Sequence, residues 1–156
     1  MNQEASYLAE AVALARRNVE NGGRPFGAVV VKDGEIVGRG VNEMLSTGDP
    51  TSHAELNALR AAARALRSPR LEGAAVYASG QPCPMCLAAM RMAGITEIAY
   101  AHSNADAEPF GLSTATIYAE LAKPIDEQAM RFRHVPVDET DAPPLYVAWQ
   151  ARQKKD

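Results

Sequence analysis

Two short segments carry residue types that can do chemistry together: His53-Ala54-Glu55, and Pro82-Cys83-Pro84-Met85-Cys86. An imidazole and two thiolates form a donor set that zinc accepts in tetrahedral geometry. Three protein ligands leave a fourth position for water, the mark of a catalytic rather than a structural site. Cys83 and Cys86 are the only cysteines, and the remaining histidines, His102 and His134, stand at no matching spacing. Bound zinc lowers the pKa of its water from about 15.7 toward roughly 7. Glu55, two residues past His53, is placed to reach such a water without displacing it and to move its proton.

His-x-Glu followed by Pro-Cys-x-x-Cys is the general signature of zinc nucleobase deaminases, and the expected reaction follows from it. Water attacks an amidine-like ring carbon, Glu55 passes the proton to a ring nitrogen and then to the amine, and ammonia leaves. A lone Cys-x-x-Cys also marks redox pairs, so a redox dithiol or a non-catalytic zinc module is the competing reading. The carboxylate beside the ligands speaks against it, because a purely structural site has no use for one.

These residues must be brought together by secondary structure. Glu4 to Asn21 reads as an amphipathic helix with Leu8, Val12, Ala15 and Val19 on its inner stripe. Phe26 to Val31 reads as a buried strand, Asp33-Gly34 as a hairpin turn, and Glu35 to Val41 as the return strand. A helix is expected from about His53 to Leu66, with Leu56, Leu59, Ala63 and Leu66 inward; a strand follows over Ala74 to Ser79. Pro82-Cys83-Pro84 opens the next helix, with Leu87 and Met90 buried and Gly94 at its end. Both ligand segments thus begin helices, whose free N–H groups favour thiolates. Ile95 to Ala101 reads as a strand, Ser113 to Leu121 as a helix, Phe132 to Val137 as a strand and Leu145 to Gln153 as a C-terminal helix. The order predicts a three-layer α/β/α sandwich around a mixed sheet of about five strands.

The 156 residues fit one domain, residues 1–156, and the 47% hydrophobic and 22% charged content is ordinary for a globular chain. A net charge of −3 argues against a protein devoted to holding phosphate backbone. No apolar run is long enough to span a bilayer and no basic leader opens the chain, so a cytoplasmic location is expected. There, two close thiols read as a metal or redox pair and not as a disulfide.

At these residues the chain resembles the cytidine deaminase superfamily, and within it the bacterial guanine deaminases. The resemblance extends over Gly23-Arg24-Pro25-Phe26-Gly27-Ala28-Val29-Val30-Val31, Gly40-Val41-Asn42, Asp49 to Glu55 and Pro82 to Leu87. It implies one zinc per chain on His53, Cys83 and Cys86, Glu55 as proton shuttle, and substrate contacts from Asn42, Phe26 and Ala54. It also implies a homodimer in which residues 140–156, with Tyr146 and Trp149, form a candidate lid exchanged between subunits.

Two departures from the family pattern stand out. Gln81 occupies the place of the usual glutamate before Pro-Cys, and Leu112-Ser113-Thr114 stands where an acid is expected to read the base. Glu139 and Asp141 are the candidate substitutes for that acid. The substrate is therefore expected to be guanine or a related amino-heterocycle such as isocytosine, cytosine, ammeline or guanosine. A tRNA adenosine deaminase shares the motifs and is the alternative; the acidic balance and a tail whose cations are Arg152, Lys154 and Lys155 weigh against it.

Overall fold

The computed structural model describes residues Asn2–Lys154. Residues 1–122 and 123–156 form two units.

The first unit is built on a four-stranded sheet of order β2-β1-β3-β4. Its strands are β1 (Gly27–Lys32), β2 (Glu35–Val41), β3 (Ala74–Gly80) and β4 (Glu97–His102). Asp33 and Gly34 both adopt positive φ, 52° and 78°, as a two-residue hairpin turn requires, and β1 pairs antiparallel with β2. On its other edge β1 pairs antiparallel with β3, and β3 pairs parallel with β4, so the sheet is mixed. The β3–β4 crossover is the helix α4 (Pro84–Ala93).

Alternation along β1 separates the two faces. Ala28 and Val30 join α3 (Ala54–Leu66) and α4 in the main core, with Leu59, Val76, Ala78, Cys86 and Met90. The opposite face receives α1 (Gln3–Glu20). There a Cβ on Gly27 would stand 2.4 Å from the Ala11 carbonyl oxygen, so helix and strand backbones touch. Helix, sheet and helix give the three-layer sandwich the patterning predicts.

Several expectations shift. The buried centre of α1 is Ala11 and Ala15; Leu8 and Val12 are half-buried and Val19 is exposed. The close approach at Gly27 explains this, because only alanines fit where the backbones meet. In α4 the buried residues are Cys86 and Met90, one turn apart, which leaves Leu87 about 100° round the helix and exposed. Three short pieces have no strong sequence signal: α2 (Met44–Thr47), α5 (Asn104–Ala107) and a 3-10 turn at Glu108–Phe110. The helix α6 (Ala115–Leu121) starts two residues later than expected.

The second unit holds a 3-10 turn at Ile125–Glu127 and the helix α7 (Leu145–Gln153). The strand expected over Phe132–Val137 is not formed, so the sheet has four strands among the described residues, not about five. Phe132, Val135 and Val137 are exposed; their apolar character marks them for burial, but β pairing needs a neighbouring strand, which composition does not supply.

Candidate active site

His53 and Cys83 occupy equivalent places: each is the N-cap of its helix, α3 and α4, in extended backbone geometry. Neither side chain caps its own helix, so both are free to converge. Pro84 takes the first helical position of α4, where its missing N–H costs nothing. Cys86 lies one turn along and is fully buried. Both sulfurs stand 3.4 Å from His53 Nδ1, and the three ligand atoms lie within 4.8 Å of one another. A tetrahedral zinc with bonds of about 2.3 Å to sulfur and about 2.0–2.1 Å to nitrogen sets such atoms about 3.6 Å apart. The donor set fits that ion in chemistry and in size.

The position of α3 over the sheet is fixed by a close backbone approach. A Cβ on Gly40 would lie 2.3 Å from the Ala54 carbonyl oxygen and 2.4 Å from the Ala58 amide nitrogen. This brings the start of α3, with His53, Ala54 and Glu55, down onto β2. The loop before α3 is tied from behind by Asn57, whose Nδ2 donates to the Val41 carbonyl at 2.9 Å and to Ser52 Oγ at 3.0 Å.

Electrostatics follow from this packing. The two thiols act as a pair: a hydrogen bond from Cys86, assisted by His53, pulls Cys83 down to about 4 against the effect of burial. The same hydrogen bond, with burial and nearby Glu55, pushes Cys86 up. Bonding to Cys83 raises His53. Burial raises Glu55, a residue only 6% exposed.

A pocket of about 430 Å³, partly open to solvent, is lined by Arg24, Phe26, Asn42, His53, Glu55, Gln81, Cys83, Leu112 and Thr114. His53, Cys83, Glu55, Phe26 and Asn42 therefore meet in one place, whereas Ala54 and Cys86 are buried outside its lining. Asn42 is buried, with its Oδ1 accepting from the Met44 N–H at 3.1 Å; Phe26 is half-buried; Ala54 is fully buried at the first position of α3. Gln81, the departure before Pro-Cys, accepts from the Asn104 N–H at 2.9 Å, and Asn104 Oδ1 accepts from the Thr114 N–H at 3.1 Å. Gln81 thus ties the zinc-side turn to the Thr114 segment.

Glu139 and Asp141 lie in the second unit and are exposed; Glu139 Oε1 accepts from the Leu145 N–H at 3.2 Å, at the start of α7. His102 and His134 are exposed and outside the metal cluster.

Sequence reasoning overlooked Arg24 and Asn18. Asn18 Nδ2 donates to the Arg24 carbonyl at 2.8 Å and to the Asn42 carbonyl at 2.9 Å, clamping two pocket loops together. A lone asparagine on a helix carries no signal of this; the partners are six and twenty-four residues away. Arg24 lay inside a quoted segment, and its charge beside Phe26 was the available cue.

Residues 1–102 match the family described as the cytidine and deoxycytidylate deaminase zinc-binding region. The chain belongs to that family. It is 40% identical to the guanine deaminase of Bacillus subtilis over 151 residues, covering 96% of this chain and 95% of the relative. The solved structure of that enzyme superposes with a TM-score of 0.83 at 39% identity, covering 99% of this chain and 95% of the other. The tRNA-specific adenosine deaminase of Aquifex aeolicus is 32% identical over 85% of each chain. A structure solved in complex with 2,6-diaminopurine matches with a TM-score of 0.68 at 27% identity, over 72% of this chain and 63% of that one. This is a zinc-dependent hydrolytic deaminase, acting on C–N bonds. Among the described residues no helix is long and apolar enough to cross a membrane.

Proposed function

We propose that this deaminase removes the exocyclic amine from a small aminated nucleobase, guanine or a close relative, with Glu55 as its proton shuttle. The observation that carries this reading is the buried Glu55 carboxylate lining the same pocket as His53 and Cys83. Full-length likeness to a guanine deaminase supports the substrate class.

Zinc held by His53, Cys83 and Cys86 supplies a Lewis acid and a water ionised near neutral pH. The residues do the rest. Phe26 stacks on the base, and Asn42 hydrogen-bonds its edge. Glu55 takes the proton of the attacking water and hands it to the ring nitrogen beside the amine. It then takes the second proton of that water from the new hydroxyl and gives it to the amine, which leaves as ammonia while the ring carbon keeps the oxygen as a carbonyl. Burial suits Glu55 to this work, because it raises the carboxylate's affinity for the proton it must take up and pass on.

The working unit proposed is a homodimer in the cytoplasm, with residues 140–156 as a lid exchanged onto the partner's pocket. Leu145, Tyr146, Val147 and Trp149 support this, since all are exposed apolar groups on one helix; the last two residues of the segment lie outside those described. The test is ammonia release from guanine, guanosine, isocytosine, cytosine, ammeline and adenine. Glu55→Gln is expected to keep about one zinc per chain and to lower kcat by about 10²–10⁴. Near-normal turnover by that variant rules out the shuttle, and release from structured tRNA alone rules out the small-base reading.

A further inference from the structure

Asn18 follows Ala11 and Ala15 along the inward stripe of α1, yet it is polar and half-buried. Its Nδ2 donates to the Arg24 carbonyl at 2.8 Å and to the Asn42 carbonyl at 2.9 Å. Both acceptors are backbone carbonyls, so the atom facing them is the nitrogen, and both of its hydrogens are used. β1 and β2 pair as far as Gly27 and Val41. One residue further out, the Asn42 N–H donates to the Phe26 carbonyl at 3.2 Å, and the Phe26 N–H donates to the Arg24 carbonyl at 2.8 Å. These hydrogen bonds close a ring that runs from Asn18 through Arg24, Phe26 and Asn42 and back. The loop before β1 is folded tightly onto the same side chain. A Cβ on Gly23 would stand 2.5 Å from Asn18 Nδ2, and the Gly23 N–H donates to the Asn18 backbone carbonyl at 2.8 Å.

Phe26 and Asn42 line the pocket beside His53, Glu55 and Cys83. Resting on the function proposed above, we infer that Asn18 is a positioning residue for substrate binding, whose one NH2 group holds Phe26 and Asn42 at the spacing the base requires. The ladder of β1 and β2 ends just short of these two residues, so Asn18 is what fixes the last peptide of each strand. It does so from α1, on the face of the sheet opposite α3 and α4. The metal ligands and Glu55 belong to those two helices. Loosening Asn18 therefore disturbs the hold on the base and leaves the reacting groups in place. Contacts made equally in the ground state and the transition state are read in KM and not in kcat.

The experiment uses zinc-loaded, full-length protein with Asn18→Ala and Asn18→Asp. Alanine suits a helix interior, so the first variant keeps α1; the second keeps the size of the side chain but cannot donate when ionised. The substrate is guanine, or whichever base of the panel the wild type turns over fastest. Both variants are expected to raise KM about tenfold, with kcat within about threefold and zinc content unchanged. In a chain already carrying Asn42→Ala, Asn18→Ala should raise KM by no more than about threefold, because one of the two groups it serves is gone. Hydrogen exchange at the Asn42 N–H should be faster in both variants. A lower melting temperature with KM unchanged, or the same KM increase with and without Asn42→Ala, overturns the inference and leaves the deaminase reading intact. A wild type that releases ammonia from none of the panel sinks the function on which the inference rests. The two failures are told apart by exchange at Asn42, which reads the hold of Asn18 without substrate; an unchanged rate overturns that hold.

Discussion

Cys83 and Cys86 differ before any metal arrives, although they are three residues apart on one turn. Cys83 is held as a thiolate by the Cys86 thiol and by His53, down to about 4, whereas Cys86 keeps its proton. The thiolate is the nucleophile of a cysteine. In chelator-treated protein, iodoacetamide should therefore label Cys83 first, at a rate that stays flat between about pH 6 and 8. The sign is direct: a group whose proton leaves near 4 is already ionised throughout that range. An ordinary thiol would gain close to tenfold per pH unit there, and that slope, read by mass spectrometry of the labelled peptide, would refute the pairing. Glu55 shifts the other way because burial dominates its surroundings, so one small site holds a readily ionised sulfur beside a carboxylate of raised proton affinity.

At the scale of elements, the site depends on how closely α3 lies on β2. The contact is backbone on backbone at Gly40, with 2.3 Å available to a Cβ. Gly40→Ala is expected to cost about 1–3 kcal/mol through overpacking, seen as a melting temperature lower by several degrees. It should also weaken zinc binding, because lifting α3 moves His53 away from the sulfurs of α4. Equal zinc affinity in the variant and the wild type would mean that α3 is located by something other than this contact. Sequence patterning placed both ligand helices and all four strands to within two residues at each end, but put His53 inside α3 instead of at its N-cap. The difference matters, since an N-cap side chain leaves the helix axis and is free to turn toward a metal.

At the scale of the whole molecule, the second unit is the part least accounted for by its own contacts. Ile125, Met130, Phe132, Val135, Val137, Leu145, Tyr146, Val147 and Trp149 are each more than half exposed. That much apolar surface on one short segment is the basis for the exchanged lid proposed above. Light scattering is expected to report a dimer, and truncation after residue 139 to give a monomer of low activity. Mixing separates an exchanged lid from one packed on its own chain. Full-length Glu55→Gln combined with the truncated chain should recover activity only if one chain's tail serves the other's pocket. No recovery from a mixture shown to form mixed dimers removes the exchange.

The chemistry of this protein was legible in the chain alone because it rests on residue types at short spacing: His53 with Glu55, and Cys83 with Cys86. Their reactivity is intrinsic, and helix starts flanked by strands leave few ways to arrange them. Hydrophobic alternation likewise determined the layers, since a residue's face in a strand follows from its parity. The tertiary structure alone decided that Asn18 clamps Arg24 to Asn42, that Gln81 and Asn42 have their oxygens occupied, and that Thr114 faces the pocket. It also decided that Phe132–Val137 forms no strand among the described residues. Each of these depends on a partner distant in sequence, and a side chain's hydrogen-bonding identity is settled only when that partner has taken one end of it.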